Sequence, residues 1–359
     1  MWLRCVWLVA AALALAACGH ASVQFPNATP AAPLPIVAKI YRPQGPGPFP
    51  AVVLLHGCEG VSKLNDRWAR WLRERGYVAL VVDSWTPRGL TQTCSFSIPD
   101  VPSTERLDDA IGALRYLHAM PGIDRRRIAI MGWSNGGVFS LASVNGPTLA
   151  RAAARGVTVP EPGFAAAIGV YPGGCRSLTN ERFVRPVLIL SGEADDWTPA
   201  ADCVAMTRAM RSKGADIRLE IFPGAYHYFD VEGLARTVLP DVGNDNRPGG
   251  CCGATVAYDE AASRRAHVLV ERFLAKVLAA GPPRASSRVP VGSRALPGDP
   301  RPRVSSQSQA GRWTPRLPSS NTSSTAWSTS MRRCRAIIPP PRFSARSGWA
   351  AASSSTRAG

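Results

Sequence analysis

The feature that most constrains this chain is a regular alternation of short apolar runs with amphipathic stretches between Ile36 and Ala280. The run 50–55 is apolar throughout and ends at His56-Gly57, as expected of a central strand buried on both faces. Further strands are predicted at 77–82, 128–131, 165–170, 187–190 and 217–222, and helices at 68–76, 105–120, from 136 onward, 200–213 and 255–279. This alternation predicts an α/β fold, in which helices cover both faces of a mostly parallel sheet.

The beginning of the chain differs from this central domain. Residues 1–17 combine an early Arg4 with an apolar run too short to span a bilayer comfortably, which is typical of an export signal. Leu15-Ala16-Ala17-Cys18 resembles the lipobox of bacterial lipoproteins. The resemblance implies cleavage before Cys18, lipidation of Cys18 and a periplasm-facing or outer-membrane location; an ordinary signal peptide with an incidental cysteine is the alternative. Residues 18–35 are predicted to be a tether.

The formal net charge of +17 is concentrated at the other end of the chain. Residues 281–359 contain 13 Arg, no Lys and one acidic residue, Asp299, so their net charge is +12 and that of residues 1–280 is +5. A mildly basic folded part gives no reason to predict nucleic-acid binding. The 281–359 segment is rich in Ser, Arg and Pro and has no periodicity, which predicts disorder. This composition is equally compatible with a basic tail that binds anionic surfaces and with a non-native extension.

A nucleophile motif follows the predicted strand 128–131. Gly132-Trp133-Ser134-Asn135-Gly136 is a G-x-S-x-G sequence with a strand before it and a helix after it, which is the context of a nucleophile elbow. The turn would hold the Ser134 hydroxyl above the sheet, at a helix N-terminus where backbone N–H groups favour negative charge. A plain tight turn is the alternative interpretation. Ser134 is the predicted nucleophile.

A serine nucleophile needs a base and an acid that orients it. Of the five histidines, His20 falls in the tether, His118 and His267 fall in predicted helices, and His56 ends a strand ahead of the nucleophile. His227 lies in the loop after the strand ending at Phe222, at the edge where such sites assemble. Asp195 and Asp196 compete for the acid. The spacing from Gly192 to Pro199 favours Asp195, and Asp196 would then be a solvated or capping carboxylate.

The oxyanion of an acyl-transfer intermediate needs two preorganised donors. We expect the backbone N–H of Asn135 to be one, and that of Cys58, in His56-Gly57-Cys58-Glu59-Gly60, to be the other. His56 would hold this loop by hydrogen bonding. A catalytic thiol at Cys58 is the alternative, but it lacks the elbow context of Ser134.

Export would also permit disulfides among the six remaining cysteines of the central domain. These are Cys58, Cys94, Cys175, Cys203, Cys251 and Cys252. Cys175 and Cys203 each follow a strand of the same predicted sheet, which favours that pair. The adjacent Cys251 and Cys252 are not expected to bridge each other. No two-Cys, two-His spacing predicts a zinc site.

The segment 36–280 resembles the dienelactone hydrolase family of α/β hydrolases. The resemblance lies in His56-Gly57-Cys58-Glu59-Gly60, Gly132-Trp133-Ser134-Asn135-Gly136-Gly137, Gly192-Glu193-Ala194-Asp195-Asp196-Trp197-Thr198-Pro199 and His227-Tyr228-Phe229-Asp230. It implies hydrolysis of an ester or lactone without a cofactor. The namesake enzymes use cysteine where this chain has Ser134. They also carry an oxyanion-loop glutamate where Gly57 stands here.

The resemblance implies less about substrate contacts. Arg88 is a near match to the family's substrate-binding arginine, although a structural arginine is equally compatible with its position. Val231 stands where a second such arginine is expected. Trp133, beside the nucleophile, is a second candidate for substrate contact.

The sequence as a whole predicts a serine esterase or lactonase whose partner is a small-molecule substrate, held at the membrane by the lipid on Cys18. An acyltransferase on the same scaffold and a non-catalytic surface lipoprotein are the alternatives. The first would favour alcoholysis over hydrolysis, and the second would be expected to lack part of the triad. The oligomeric state is not defined by the sequence.

Overall fold

The computed structural model describes residues 19–279, apart from 96–97, 99–100, 179–181 and 249–250. The strands in these residues are β1 (Ala21–Pro26), β2 (Pro35–Tyr41), β3 (Phe49–Leu55), β4 (Val78–Asp83), β5 (Ile123–Trp133), β6 (Ala166–Val170), β7 (Val187–Gly192), β8 (Ile217–Phe222), β9 (Thr237–Leu239) and β10 (Ala254–Val256). Eight of them form one sheet in the order β1-β2-β4-β3-β5-β6-β7-β8, while β9 pairs with β10 separately.

The strands from β3 to β8 are parallel, and β1 and β2 add an antiparallel edge. Their apolar sequences explain why they occupy the interior, since a strand covered on both faces must be apolar along its whole length. The last five residues of β3 and all residues of β6 and β7 are buried. The predicted α/β-hydrolase fold, with its mostly parallel sheet, is therefore confirmed.

The helices are α1 (Lys63–Glu74), α2 (Ser103–Ala119), α3 (Asn135–Ala142), α4 (Gly146–Ala154), α5 (Cys175–Leu178), α6 (Ala200–Arg211) and α7 (Glu260–Val277). They cover the sheet on both sides. Val53 of β3 faces a core cluster that includes residues of α2, α3 and α6, whereas its neighbour Leu54 faces a cluster with residues of α1 and α7. Alternate side chains of one strand thus enter different cores, as the period of a strand requires.

The tether prediction for residues 18–35 is wrong. Residues 21–26 pair with β2 in antiparallel register, and Phe25 is buried in the core. Asn27 continues this anchoring, because its side-chain amide donates to Asp109 at 3.1 Å. The folded domain therefore includes the N-terminal strand, which an Ala- and Pro-rich composition did not indicate.

Sequence reasoning also missed the hairpin β9–β10 and placed the start of the last helix too early. The helix begins at Glu260, and the side chain of Asp259 caps it by accepting the Ala262 N–H at 2.8 Å. Residues 231–258, here called the hairpin segment, lie between the His227 loop and this helix. The segment contacts the predicted site through Gly243, whose N–H donates to the Cys94 carbonyl at 2.7 Å and whose carbonyl accepts from Trp197 Nε1 at 2.8 Å.

All six cysteines of the described region form disulfides. The predicted pair Cys175–Cys203 is confirmed, and it ties α5 to α6. A second bond joins Cys58 to Cys94. The expectation that Cys251 and Cys252 would not bridge each other is wrong, because these neighbours are bonded.

Several predictions concern residues outside the described ones. These are the signal at 1–17, the lipidation of Cys18 and the disorder of 281–359. Within the described ranges, no helix combines the length and apolarity that crossing a membrane requires.

Candidate active site

Ser134 stands between the end of β5 and the start of α3, with a left-handed backbone φ of 50°. Its N–H donates to the Val170 carbonyl at 2.9 Å, which fixes the turn against the end of β6. The two glycines of the motif are required by close backbone approach. A Cβ on Gly132 would collide with the carbonyl of Gly136, and one on Gly136 would collide with the carbonyls of Leu55 and His56. The structure thus has the elbow geometry that the motif predicts.

His227 and Asp195 form a buried pair. The imidazole Nδ1 lies 2.8 Å from Asp195 Oδ2, and both side chains are inaccessible to solvent. The other carboxylate oxygen, Oδ1, accepts the backbone N–H groups of Trp197 at 2.9 Å and Thr198 at 2.8 Å. These bonds hold the carboxylate so that Nδ1–H donates to it, which leaves Nε2 as the acceptor of the ring.

Asp196 points away from this pair. Its carboxylate accepts from Arg247 at 2.7 Å and from the backbone and hydroxyl of Thr255 at 2.8 and 2.9 Å. It therefore fastens the hairpin segment to the loop that carries Asp195. Of the two competing aspartates, the structure brings only Asp195 into contact with His227.

Tyr171 connects the nucleophile to the base. It follows Val170, the acceptor of the Ser134 N–H, and its ring centroid lies 4.4 Å from that of His227. Ser134 and His227 thus lie at the same edge of the sheet. His227 Nε2 is buried and makes no hydrogen bond to a described residue, so the bond from the Ser134 hydroxyl is not formed in this structure. Such bonds are often long in substrate-free enzymes and tighten when substrate binds.

The loop after β3 contacts the start of α3, where Gly136 lies against the carbonyls of Leu55 and His56. The Asn135 N–H belongs to the first turn of α3 and has no partner within that helix. The carbonyl of Cys58 accepts from Trp85 Nε1 at 3.0 Å and from the Thr93 N–H at 2.8 Å. Because Cys58 is bonded to Cys94, the alternative of a catalytic thiol at Cys58 is excluded in this structure.

His56 anchors the loop after β3 through hydrogen bonds. Its Nε2 accepts the Ser84 N–H at 3.1 Å, so Nδ1 carries the proton and donates to the Gly57 carbonyl at 2.7 Å. Arg106, itself buried, donates to the His56 carbonyl at 2.8 Å. Burial and the Arg106 charge hold the pKa of His56 well below its usual range. His56 therefore stays neutral and ties down the loop.

The two predicted substrate contacts are not available to a substrate in this structure. Arg88 donates to Glu105, to both oxygens of Asp109 and to the Ser84 carbonyl, which supports the structural alternative for this residue. Trp133 is completely buried, and its Nε1 donates to Asp230 at 2.9 Å. Both predictions are corrected for the same reason, because the polar groups of each side chain already have partners inside the fold.

Sequence reasoning missed the role of Asp230 in organising the site. This buried carboxylate accepts from Tyr171 Oη at 2.7 Å and from the indole nitrogens of Trp68 and Trp133 at 2.9 Å each. It joins the strand before the nucleophile, Tyr171, whose ring contacts His227 at a tilted angle, and the loop of His227 itself. Asp230 belongs to the motif His227-Tyr228-Phe229-Asp230, but the motif by itself does not indicate these partners.

Sequence reasoning also gave no role to Glu59 and Tyr228. Tyr228 follows His227 in a left-handed conformation with φ of 63°, and Tyr171 also has a positive φ of 35°. Tyr228 Oη donates to Glu59 Oε2 at 3.0 Å. A side-chain atom added at Gly57 would collide with the Glu59 carboxylate, so Glu59 folds back over the place where the family's glutamate was expected.

The parallel sheet, the serine elbow and the Asp–His pair at its carboxyl edge together define an α/β hydrolase. Residues 36–278 match the family model described as "Dienelactone hydrolase family". The chain belongs to the dienelactone hydrolase family, and this membership makes it a carboxylic ester hydrolase.

Curated relatives are distant in sequence. The chain is 24% identical over 206 residues to a "Probable 2-oxo-3-(5-oxofuran-2-ylidene)propanoate lactonase" of Bradyrhizobium sp, which covers 54% of this chain and 78% of the relative. It is 26% identical over 205 residues to a "Putative carboxymethylenebutenolidase" of Yersinia pestis, covering 54% of this chain and 74% of the relative.

Solved structures show the same fold at low identity. Esterase 2 of Thermogutta terrifontis phosphorylated by paraoxon has a TM-score of 0.51 and 18% identity, covering 72% of this chain and 94% of that chain. A dienelactone hydrolase-like promiscuous phosphotriesterase from metagenomic libraries has a TM-score of 0.51 and 19% identity, covering 72% of this chain and 99% of that chain.

Proposed function

We propose that the chain hydrolyses a carboxylic ester or lactone through an acyl-enzyme on Ser134. The observation that carries this proposal is the buried contact of 2.8 Å between His227 Nδ1 and Asp195, with Nε2 left without a partner among the described residues. An imidazole held in this tautomer can accept a proton only at Nε2, and Ser134 lies at the same edge of the sheet as His227.

The reaction has two steps. Ser134 Oγ attacks the ester carbonyl while Nε2 of His227 takes the hydroxyl proton, and Asp195 stabilises the imidazolium that forms. The N–H groups of Cys58 and Asn135 bind the oxyanion of the tetrahedral intermediate. The intermediate collapses, and the imidazolium protonates the departing alcohol. Water, deprotonated by His227, then attacks the acyl-enzyme and releases the acid with Ser134 restored.

Covalent labelling tests this proposal directly. A fluorophosphonate probe is expected to label the protein at one site, which peptide mass spectrometry should map to Ser134, because only an activated serine attacks the phosphorus at a useful rate. The Ser134→Ala variant is the matched control and should remain unlabelled. Labelling elsewhere, or no hydrolysis of p-nitrophenyl acetate by the wild type, would refute the assignment.

We further propose that the protein works outside the cytoplasm, anchored through Cys18. The support is the pairing of all six cysteines of the described region in disulfides, which form and persist in oxidising compartments. Globomycin, which blocks lipoprotein signal cleavage, should cause the uncleaved precursor to accumulate. Cleavage that is insensitive to the compound would favour the ordinary signal peptide.

The Cys58–Cys94 bond should matter for catalysis. Because it fixes a residue whose N–H binds the oxyanion, the double variant Cys58→Ser/Cys94→Ser is expected to lower kcat by about tenfold to a hundredfold, toward the loss seen when one oxyanion donor is removed. The variant Cys175→Ser/Cys203→Ser is the matched control and should lower Tm with a much smaller change in kcat. Steady-state kinetics with a short-chain ester would show the difference, and equal losses of kcat in both variants would contradict it.

A further inference from the structure

Glu59 bridges the two halves of the site. It follows the oxyanion residue Cys58, and one of its carboxylate oxygens and the sulfurs of Cys58 and Cys94 all lie within 4.8 Å of one another. On its other side it accepts the Tyr228 hydroxyl at 3.0 Å, and the Tyr228 ring lies 4.9 Å from that of His227. The carboxylate therefore stands between the loop that carries Cys58 and the loop that carries His227.

Tyr228 is well suited to hold this carboxylate in its ionised form. Burial, together with the charge of Glu59, raises the pKa of Tyr228 well above its usual value, so its hydroxyl stays protonated and donates. Donation to a carboxylate stabilises the charged form of the acid. Burial leaves the pKa of Glu59 above its usual value, although this hydrogen bond and the nearby His227 and Arg106 oppose the rise.

The two arginines near this loop are buried or paired inside the fold. Arg106 is 1% exposed, donates to the His56 carbonyl and packs with its guanidinium 4.5 Å from the Trp85 ring centroid. Arg88 is paired with Glu105 and Asp109. Val231 stands where the family's second arginine was expected. Unlike these two arginines, Glu59 contacts Tyr228, the neighbour of His227 in the chain.

We propose that Glu59 is a specificity-determining residue that makes the site select esters with uncharged acyl groups and reject acyl groups that carry a carboxylate. This inference rests on the proposed esterase function. Two like charges in a partly buried site repel each other more strongly than in water, because the surroundings screen them less. The Bradyrhizobium relative is named for a propanoate, which is an anion, so the preference proposed for this chain is opposite in charge.

A pair of esters that differ in one charge tests the proposal. The neutral substrate is p-nitrophenyl hexanoate, and the anionic one is the p-nitrophenyl monoester of adipic acid, with each rate divided by its rate of hydrolysis in buffer. For the wild type at pH 8, kcat/KM is expected to be at least about tenfold higher for the neutral ester. In Glu59→Gln this ratio should fall by about tenfold.

The control variant is Glu260→Gln, which makes the same change in net charge at an exposed pair with Arg264 on α7. It should leave the ratio at the wild-type value. Lowering the pH should also reduce the wild-type ratio, since protonation of Glu59 below its raised pKa removes the repulsion. In Glu59→Gln the ratio should not change with pH over the range in which the adipate group stays ionised.

The wild-type measurement alone can overturn the proposal. Equal corrected kcat/KM values for the two esters would overturn it, as would an unchanged ratio in Glu59→Gln. In either case, cleavage of both esters by the wild type but not by Ser134→Ala would leave the esterase function standing. If the wild type cleaved neither ester, both the function and the specificity would be overturned.

Discussion

His227→Ala is expected to lower kcat for a short-chain p-nitrophenyl ester by about 10⁴-fold or more, with a much smaller change in KM. The reason is that His227 is the proposed base for Ser134 and is fixed by Asp195, which lies 2.8 Å from its Nδ1. Removal of the base from a catalytic triad costs about as much as removal of the nucleophile. The residual rate would come from the oxyanion donors and from binding.

The measurement should include a histidine that is not in the site. His118 lies in α2 and is also largely buried, so His118→Gln tests whether loss of any buried histidine disables the enzyme. It should retain kcat within a few-fold, while circular dichroism should show that both variants are folded. A His227→Ala variant that remained folded and kept more than about a tenth of the wild-type kcat would contradict the mechanism.

Asp195→Asn is expected to lower kcat by about 10³- to 10⁴-fold. An amide at this position can donate to Nδ1 and so favour the tautomer in which Nε2 carries the proton and cannot accept one from Ser134. Asp196→Asn makes the same chemical change at the next residue. It should keep kcat close to the wild-type value but lower Tm by a few degrees, because Asp196 holds Arg247 and Thr255 of the hairpin segment.

Comparison of these two variants decides between the neighbouring aspartates. Steady-state kinetics gives kcat for each, and thermal unfolding gives Tm. A large loss of kcat in Asp196→Asn, with Asp195→Asn active, would transfer the orienting role to Asp196 and contradict the geometry in this structure.

The fold could be predicted largely from the sequence because its central strands carry strong local signals. The continuous apolar run of β3 and the nucleophile elbow after β5 are both typical of a parallel sheet. The edge strand β1 could not be found in this way. Its pairing with β2 is antiparallel and its side chains alternate in burial, so its sequence does not stand out from an Ala- and Pro-rich linker.

The site could be predicted in part for a similar reason. Ser134, Asp195 and His227 lie in loops that directly follow strands, and the carboxyl ends of parallel strands must share one edge. The environments of Arg88 and Trp133 depend on residues far away in the chain, such as Asp109 and Asp230. Sequence spacing carries no information about such partners.

Positive φ angles mark three non-glycine residues of the described region, and all three belong to the site: Ser134, Tyr171 and Tyr228. Each such conformation costs on the order of 1–3 kcal/mol, against a net stability of about 5–15 kcal/mol for a typical domain. The surrounding packing must stay rigid to keep them in these conformations. Activity is therefore expected to fall at a lower temperature than the sheet structure followed by circular dichroism.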